Sequence, residues 1–88
     1  MASYTWVLDQ SAVREVESLQ PSERRRVFEF LDTLARHPFQ EGHLRYRDNA
    51  GFEIRVYFLG EFDIHYRLDH AVLEVRVAVV ERHPPLEL

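Results

Sequence analysis

The chain is 88 residues long, 45% hydrophobic, carries a net charge of −4 with a pI near 5.7, and has no cysteine. This describes one small domain, 1–88, which buries roughly 60–65% of its unfolded surface in a single modest core. Disulfide and thiolate chemistry are excluded, the acidic balance argues against a generic nucleic-acid binder, and the hydrophobic fraction argues against a disordered tail.

The first ten residues, MASYTWVLDQ, hold no basic segment followed by an apolar one, so no signal peptide is expected. The cleanest apolar run, Val77 to Val80, is far short of the ~20 residues of a membrane span. A cytoplasmic protein without a membrane partner is therefore expected. All eleven basic residues are arginine. Arginine holds phosphates with two bonds and stacks on bases, but a compositional bias gives the same count.

Tyr4 to Leu8 (YTWVL) reads as a first strand. Asp9 or Ser11 caps a helix to about Leu19, with Val13, Val16 and Leu19 on one face. Pro21 opens a second helix that runs to Arg36, with Val27, Phe30, Leu31 and Leu34 inward. His37-Pro38 ends it, because the residue before proline avoids helical geometry. Phe39 to Gly51 is a polar connection, extended in part. Strands follow at Phe52–Phe58, Phe62–Leu68 and Val72–Val80, the last with Leu73, Val75, Val77 and Val79 on one face. The tail, 84–88, starts Pro84-Pro85 and excludes a regular helix or central strand.

The order β-α-α-β-β-β predicts an α+β fold, a helix hairpin on one face of a mostly antiparallel four-stranded sheet. A three-residue hairpin loop, Leu59-Gly60-Glu61, keeps apolar opposite apolar. It pairs Glu53 with Arg67, Arg55 with His65 and Tyr57 with Asp63. Phe52, Ile54, Val56, Ile64, Tyr66, Val75 and Val77 then meet the helices. Glu53, Arg55, Tyr57, Asp63, His65, Arg67, Glu74 and Arg76 line the other face. Two readings of that face stand: a phosphate-binding concavity, or a solvated surface held by cross-strand ion pairs. Arg24 to Arg26 similarly suit either an acidic or RNA partner or a solvated helix face. The five histidines lie in different elements or turns, which gives no metal-ligand spacing except His65 and His70 across a turn; neither a metal nor a cofactor is expected.

The element order, the helix ended by His37-Pro38, the strand–Gly–aromatic–strand unit around Gly60 and the DHAVLEV turn and strand resemble the RelE/ParE superfamily of bacterial type II toxins. The resemblance spans nearly the whole chain. It implies one of two activities: metal-independent cleavage of messenger RNA on the ribosome, which inhibits translation, or non-catalytic inhibition of DNA gyrase. It also implies an antitoxin partner. The family's basic pair on the first hairpin strand falls on Glu53 and Arg55, so one member is kept. Its arginine after the glycine–aromatic pair falls on Asp63. Its basic residue after the last strand falls on Arg82. Its C-terminal tyrosine has no counterpart, and His83 is the available acid or base. The resemblance thus implies Arg55, Arg82 and His83 as catalytic residues and Arg45, Arg47, His65 and Arg67 as RNA-binding residues. The alternative is a non-catalytic binding protein, either a ParE-like DNA gyrase inhibitor or a degenerate toxin that acts only as an antitoxin partner. The first strand, if its edge is open, offers a surface for a weak homodimer.

Overall fold

The computed structural model describes residues 3–83; the tail 84–88 lies outside the described residues. Strand β1 (Thr5–Leu8) leads into helix α1 (Gln10–Glu17) and helix α2 (Pro21–Arg36). Strands β2 (Leu44–Arg47), β3 (Glu53–Leu59), β4 (Phe62–Asp69) and β5 (Glu74–Arg82) follow. They form one sheet in the order β1-β5-β4-β3-β2, parallel between β1 and β5 and antiparallel elsewhere. The α+β class matches the sequence reading, with a fifth strand where a polar connection was expected. Both β1 and β2 are edges.

Glu23 fixes the start of α2 by accepting the Gln20 N–H at 3.0 Å, satisfying a donor the helix cannot pair internally. Arg24 closes the end of α1, donating to the carbonyls of Val16 and Leu19 at 3.2 and 3.1 Å. Arg26 donates to Glu61 at 2.9 Å and lies over the Phe62 ring. Two of the three consecutive arginines therefore have structural roles. The core joins Ala12 and Val16 of α1, Val27, Leu31 and Leu34 of α2, and Phe62, Ile64, Tyr66, Val75, Val77 and Val80 of the sheet. Trp6 stacks on Phe28 at 5.4 Å and donates its indole N–H to Asp32.

The β3–β4 register differs from the expected one by one residue. Leu59 opposes Phe62, Tyr57 opposes Ile64, Val56 opposes His65 and Arg55 opposes Tyr66. The loop is two residues, Gly60-Glu61, with Gly60 at φ +58, which glycine adopts without strain. Directly opposed residues share a face, so a one-residue shift turns a strand over. Tyr57 accordingly meets Phe30 of α2, ring centroids 4.4 Å apart. Ile54 and Val56 do not meet the helices. They lie on the helix-free face, each 3% exposed, and Phe52 stands half-exposed beneath Arg67. The expected pairs Glu53–Arg67, Arg55–His65 and Tyr57–Asp63 do not form. The strand tolerates this because it is apolar on both faces, with Tyr57 and Leu59 as good a core surface as Ile54 and Val56.

Strand β5 has a bulge. His65 opposes Val79 and Tyr66 opposes Val77, so Ala78 is unpaired. The extra residue reverses the alternation. Val75 and Val77 enter the core, then Val80, while Val79 and Glu81 turn to the helix-free side. The expected face of Leu73, Val75, Val77 and Val79 thus breaks at Ala78, whose carbonyl accepts the Ser11 hydroxyl at 2.9 Å.

Candidate functional site

At the end where β3 begins and β4 finishes, Arg45, Arg47, Arg55 and Arg67 stand with Glu53, Asp69 and Glu74. Arg45 Nη1 lies 3.4 Å and Arg55 Nε 3.9 Å from the Glu53 carboxylate. Arg55 is the most enclosed of these, with a side chain 20% exposed and a bond to the Gln40 carbonyl at 2.9 Å. Its guanidinium stands beside the Tyr66 hydroxyl without hydrogen-bonding it. Burial pushes the Tyr66 phenol up, and Arg55 partly offsets that. Arg67 lies flat over Phe52, 4.1 Å from its centroid. Arg55 and Arg67 line one small cleft of about 120 Å³ with Phe52, Glu53, Leu68 and His70. Arg47 donates to the Gly51 carbonyl at 2.9 Å, holding the turn before β3.

The other end is acidic and carries imidazoles. Asp63 and Glu81 oppose each other directly across β4 and β5. His83 Nδ1 is 2.7 Å from Asp63, and His65 Nε2 is 3.2 Å from Glu81. His65 Nδ1 is 2.9 Å from the Tyr46 hydroxyl. Because Tyr46 opposes Ile54 and His65 opposes Val56, this last bond crosses β3 and roofs its two apolar residues. Partial burial, with Asp48 and Glu81 adding to it, pushes the Tyr46 phenol up. The hydroxyl therefore keeps its proton at neutral pH.

Arg82 lies on the helix side, where it opposes Phe62. It donates to Glu23 at 2.8 Å and Glu61 at 3.4 Å, and its guanidinium sits 4.8 Å from the Phe62 centroid. The Arg82 hydrogen bond, with the Gln20 N–H, holds the Glu23 carboxyl below its ordinary value of 4.5. Four residues along β4 separate the Arg82 level from the Arg55 level, about 13 Å at strand spacing. The structure therefore brings Arg55 together with Arg67, and His65 with Tyr46, but keeps Arg82 and His83 at the far end from Arg55. Arg55 faces the helix side rather than the helix-free face because of the shifted register. Glu81 is the member of the polar face that sequence reasoning did not single out, and it reaches the face through the bulge. Tyr46, which stands between Arg45 and Arg47 in an aromatic–arginine pattern suited to stacking on bases, instead meets His65.

The Glu23–Arg82 pair makes a pH-dependent prediction. A carboxylate whose folded pKa is depressed adds stability above its unfolded pKa, and loses it as pH falls through the folded one. Arg82→Ala should lower Tm near neutrality by a small, salt-sensitive amount, since the pair is exposed. The gap should narrow at acid pH, as the pH falls through the lowered Glu23 pKa and the carboxyl takes up its proton. Thermal melts near neutrality and at acid pH check this, and a gap that does not change with pH would contradict it.

No family model matches the chain, and no curated protein matches it. Solved structures do. The chain superposes on the isolated E. coli RelE toxin with a TM-score of 0.80 at 19% identity, covering 97% of this chain and 89% of that one. It superposes on a chain of the RelBE2 toxin–antitoxin complex from Mycobacterium tuberculosis with a TM-score of 0.77 at 24% identity, covering 93% and 100%. For the archaeal RelE–RelB complex from Pyrococcus horikoshii the values are 0.73, 17%, 92% and 96%. The two helices and five strands described above are thus arranged as in these structures, and the chain has the RelE toxin fold.

Proposed function

We propose that the chain is a type II toxin-like protein of the bacterial cytoplasm that binds an antitoxin and meets RNA through the arginine end of its sheet. The observation that carries the RNA contact is the cleft between Arg55 and Arg67. It is lined by Arg55 and Arg67 together with Glu53, Phe52, Leu68 and His70, and Arg45 and Arg47 lie beside it on β2. Guanidiniums preorganised beside a phosphate stabilise the charge that builds up when a 2′-hydroxyl attacks it. The activity supported by this surface is cleavage of messenger RNA on the ribosome. The antitoxin partner is supported by the fold, which the chain shares with toxins in RelBE and RelE–RelB complexes.

One observation favours a second, non-catalytic reading as gyrase inhibitor or antitoxin partner alone. Arg82 is held by Glu23 and Glu61, and His83 by Asp63. Catalytic work by either requires it to leave those partners. The experiment is induced expression in a bacterial host, following growth and RNA integrity together. The chain is compared with Arg55→Ala/Arg67→Ala and with Arg82→Ala/His83→Ala. Growth arrest with RNA cleavage, lost in both double variants, is the expected result. Arrest with intact RNA and broken DNA would replace RNA by gyrase. No arrest from a folded, soluble chain would leave a non-toxic antitoxin partner.

A further inference from the structure

From the acidic end of the sheet we infer a binding site for one first-row divalent cation, formed by Asp63, His65 and Glu81. The ligand atoms of these three side chains all lie within 4.8 Å of one another. They come from two neighbouring strands and owe their meeting to the β5 bulge. Without Ala78 unpaired, Glu81 would continue the face of Val75 and Val77 and point into the core.

Three features fit coordination rather than a chance surface group. First, Asp63 and Glu81 are directly opposed carboxylates, an arrangement that costs stability unless positive charge stands between them. Second, His65 presents Nε2 to this space while Nδ1 lies 2.9 Å from the Tyr46 hydroxyl oxygen. A metal-binding imidazole usually engages its remote nitrogen in this way, which fixes tautomer and ring orientation. With Nε2 on the metal, Nδ1–H donates to Tyr46. Third, Asp63 is itself held by His83 Nδ1 at 2.7 Å, so a ligand carboxylate has its own outer-shell partner. Partial burial of Asp63 and His65 limits competition from water, while Glu81 is exposed and leaves an entry path.

One imidazole nitrogen and two carboxylate oxygens suit zinc, manganese or a neighbouring ion better than magnesium or calcium, which take oxygen ligands alone. Three protein ligands leave at least one position for water or a partner's side chain. The site lies at the opposite end of the sheet from the Arg55–Arg67 cleft, and it stands whether or not the chain cuts RNA.

The probe is zinc chloride, titrated calorimetrically into the metal-free full chain in a non-chelating buffer near neutrality. One saturable site per chain is expected. His65→Gln should abolish it, and Asp63→Asn should do the same, so the conclusion does not hang on one variant's folding. Tyr46→Phe keeps all three ligands and removes the outer-shell oxygen; it should weaken binding about tenfold, at the low end of outer-shell effects. His37→Gln, at the end of α2 and remote from the site, should bind as the parent does. Circular dichroism checks that each variant is folded. No saturable heat, a stoichiometry other than one, or binding as tight as the parent's in folded His65→Gln or Asp63→Asn would overturn the site.

Discussion

Phe62→Ala is expected to destabilise the protein by about 3–5 kcal/mol, as for other large-to-small aromatic truncations in cores. Phe62 is fully buried at the start of β4, just after the Gly60-Glu61 turn. It carries two guanidiniums, those of Arg26 and Arg82, at 5.4 and 4.8 Å from its ring. Truncation removes the packing and both cation–π contacts, and those contacts are worth about 0.5–1 kcal/mol each where solvent is near. Small domains have only about 5–15 kcal/mol in total, so this is a large fraction. At 60–100 residues the Tm should fall on the order of 20 °C. Phe62→Leu keeps most of the volume and should cost under about 1.5 kcal/mol. Phe52→Ala is the control. That ring also lies beneath an arginine, Arg67 at 4.1 Å, but is 47% exposed. Its loss should cost less than about 1 kcal/mol. Denaturant melts rank the three. Equal costs for Phe62→Ala and Phe52→Ala would mean that the cation–π contacts, not burial, dominate.

The sequence exposed most of the fold because its local signals agree with one another. Helix α2 has proline at its start, His37-Pro38 after its end and an apolar stripe between, and it spans Pro21–Arg36 as expected. The α-hairpin and three long strands were legible for the same reason. Strand β2 was not, because Leu44, Arg45, Tyr46 and Arg47 are all exposed and show no core-facing period. Its partner β3 alone makes it a strand. The β3–β4 register was misread because β3 has two apolar faces, so alternation could not choose between them. The turn chose instead, with Gly60 taking the left-handed conformation. The bulge at Ala78 leaves no mark in a run of valines. These two shifts of one residue decide which side chains meet. They put Arg55 against Tyr66 rather than His65, and Glu81 beside His65. The candidate site was therefore legible as a set of residue types, while its partnerships were set by registers that periodicity does not encode.

Arg55→Ala/Arg67→Ala is expected to lose most of the chain's affinity for single-stranded RNA. The reason is geometric as well as electrostatic. Arg55 is fixed by the Gln40 carbonyl and Arg67 by the Phe52 ring, so neither guanidinium has to be ordered when a phosphate enters the cleft between them. Arg45 and Arg47 are more exposed and should add steering rather than grip. Binding that neutralises phosphates releases counterions, and for single strands the affinity falls with salt at a slope of about −0.7 per contact. Removing two contacts should flatten that slope by about 1.4. Glu53 now draws Arg45 and Arg55 toward itself, at 3.4 and 3.9 Å. Glu53→Gln should therefore tighten RNA binding, by several-fold at low salt, where an unscreened carboxylate repels phosphate most. Arg14→Ala is the control, since Arg14 is exposed on α1, which packs on β1 and β5 and not on β2 or β3. Fluorescence anisotropy with a labelled oligonucleotide across a salt series reads all four proteins. If the double variant and Arg14→Ala share one affinity and one slope, the arginine end is a solvated surface, and RNA, if bound, is bound elsewhere. If the double variant alone flattens the slope and Glu53→Gln moves affinity the other way, Arg55 and Arg67 are the phosphate grip and Glu53 is what restrains it.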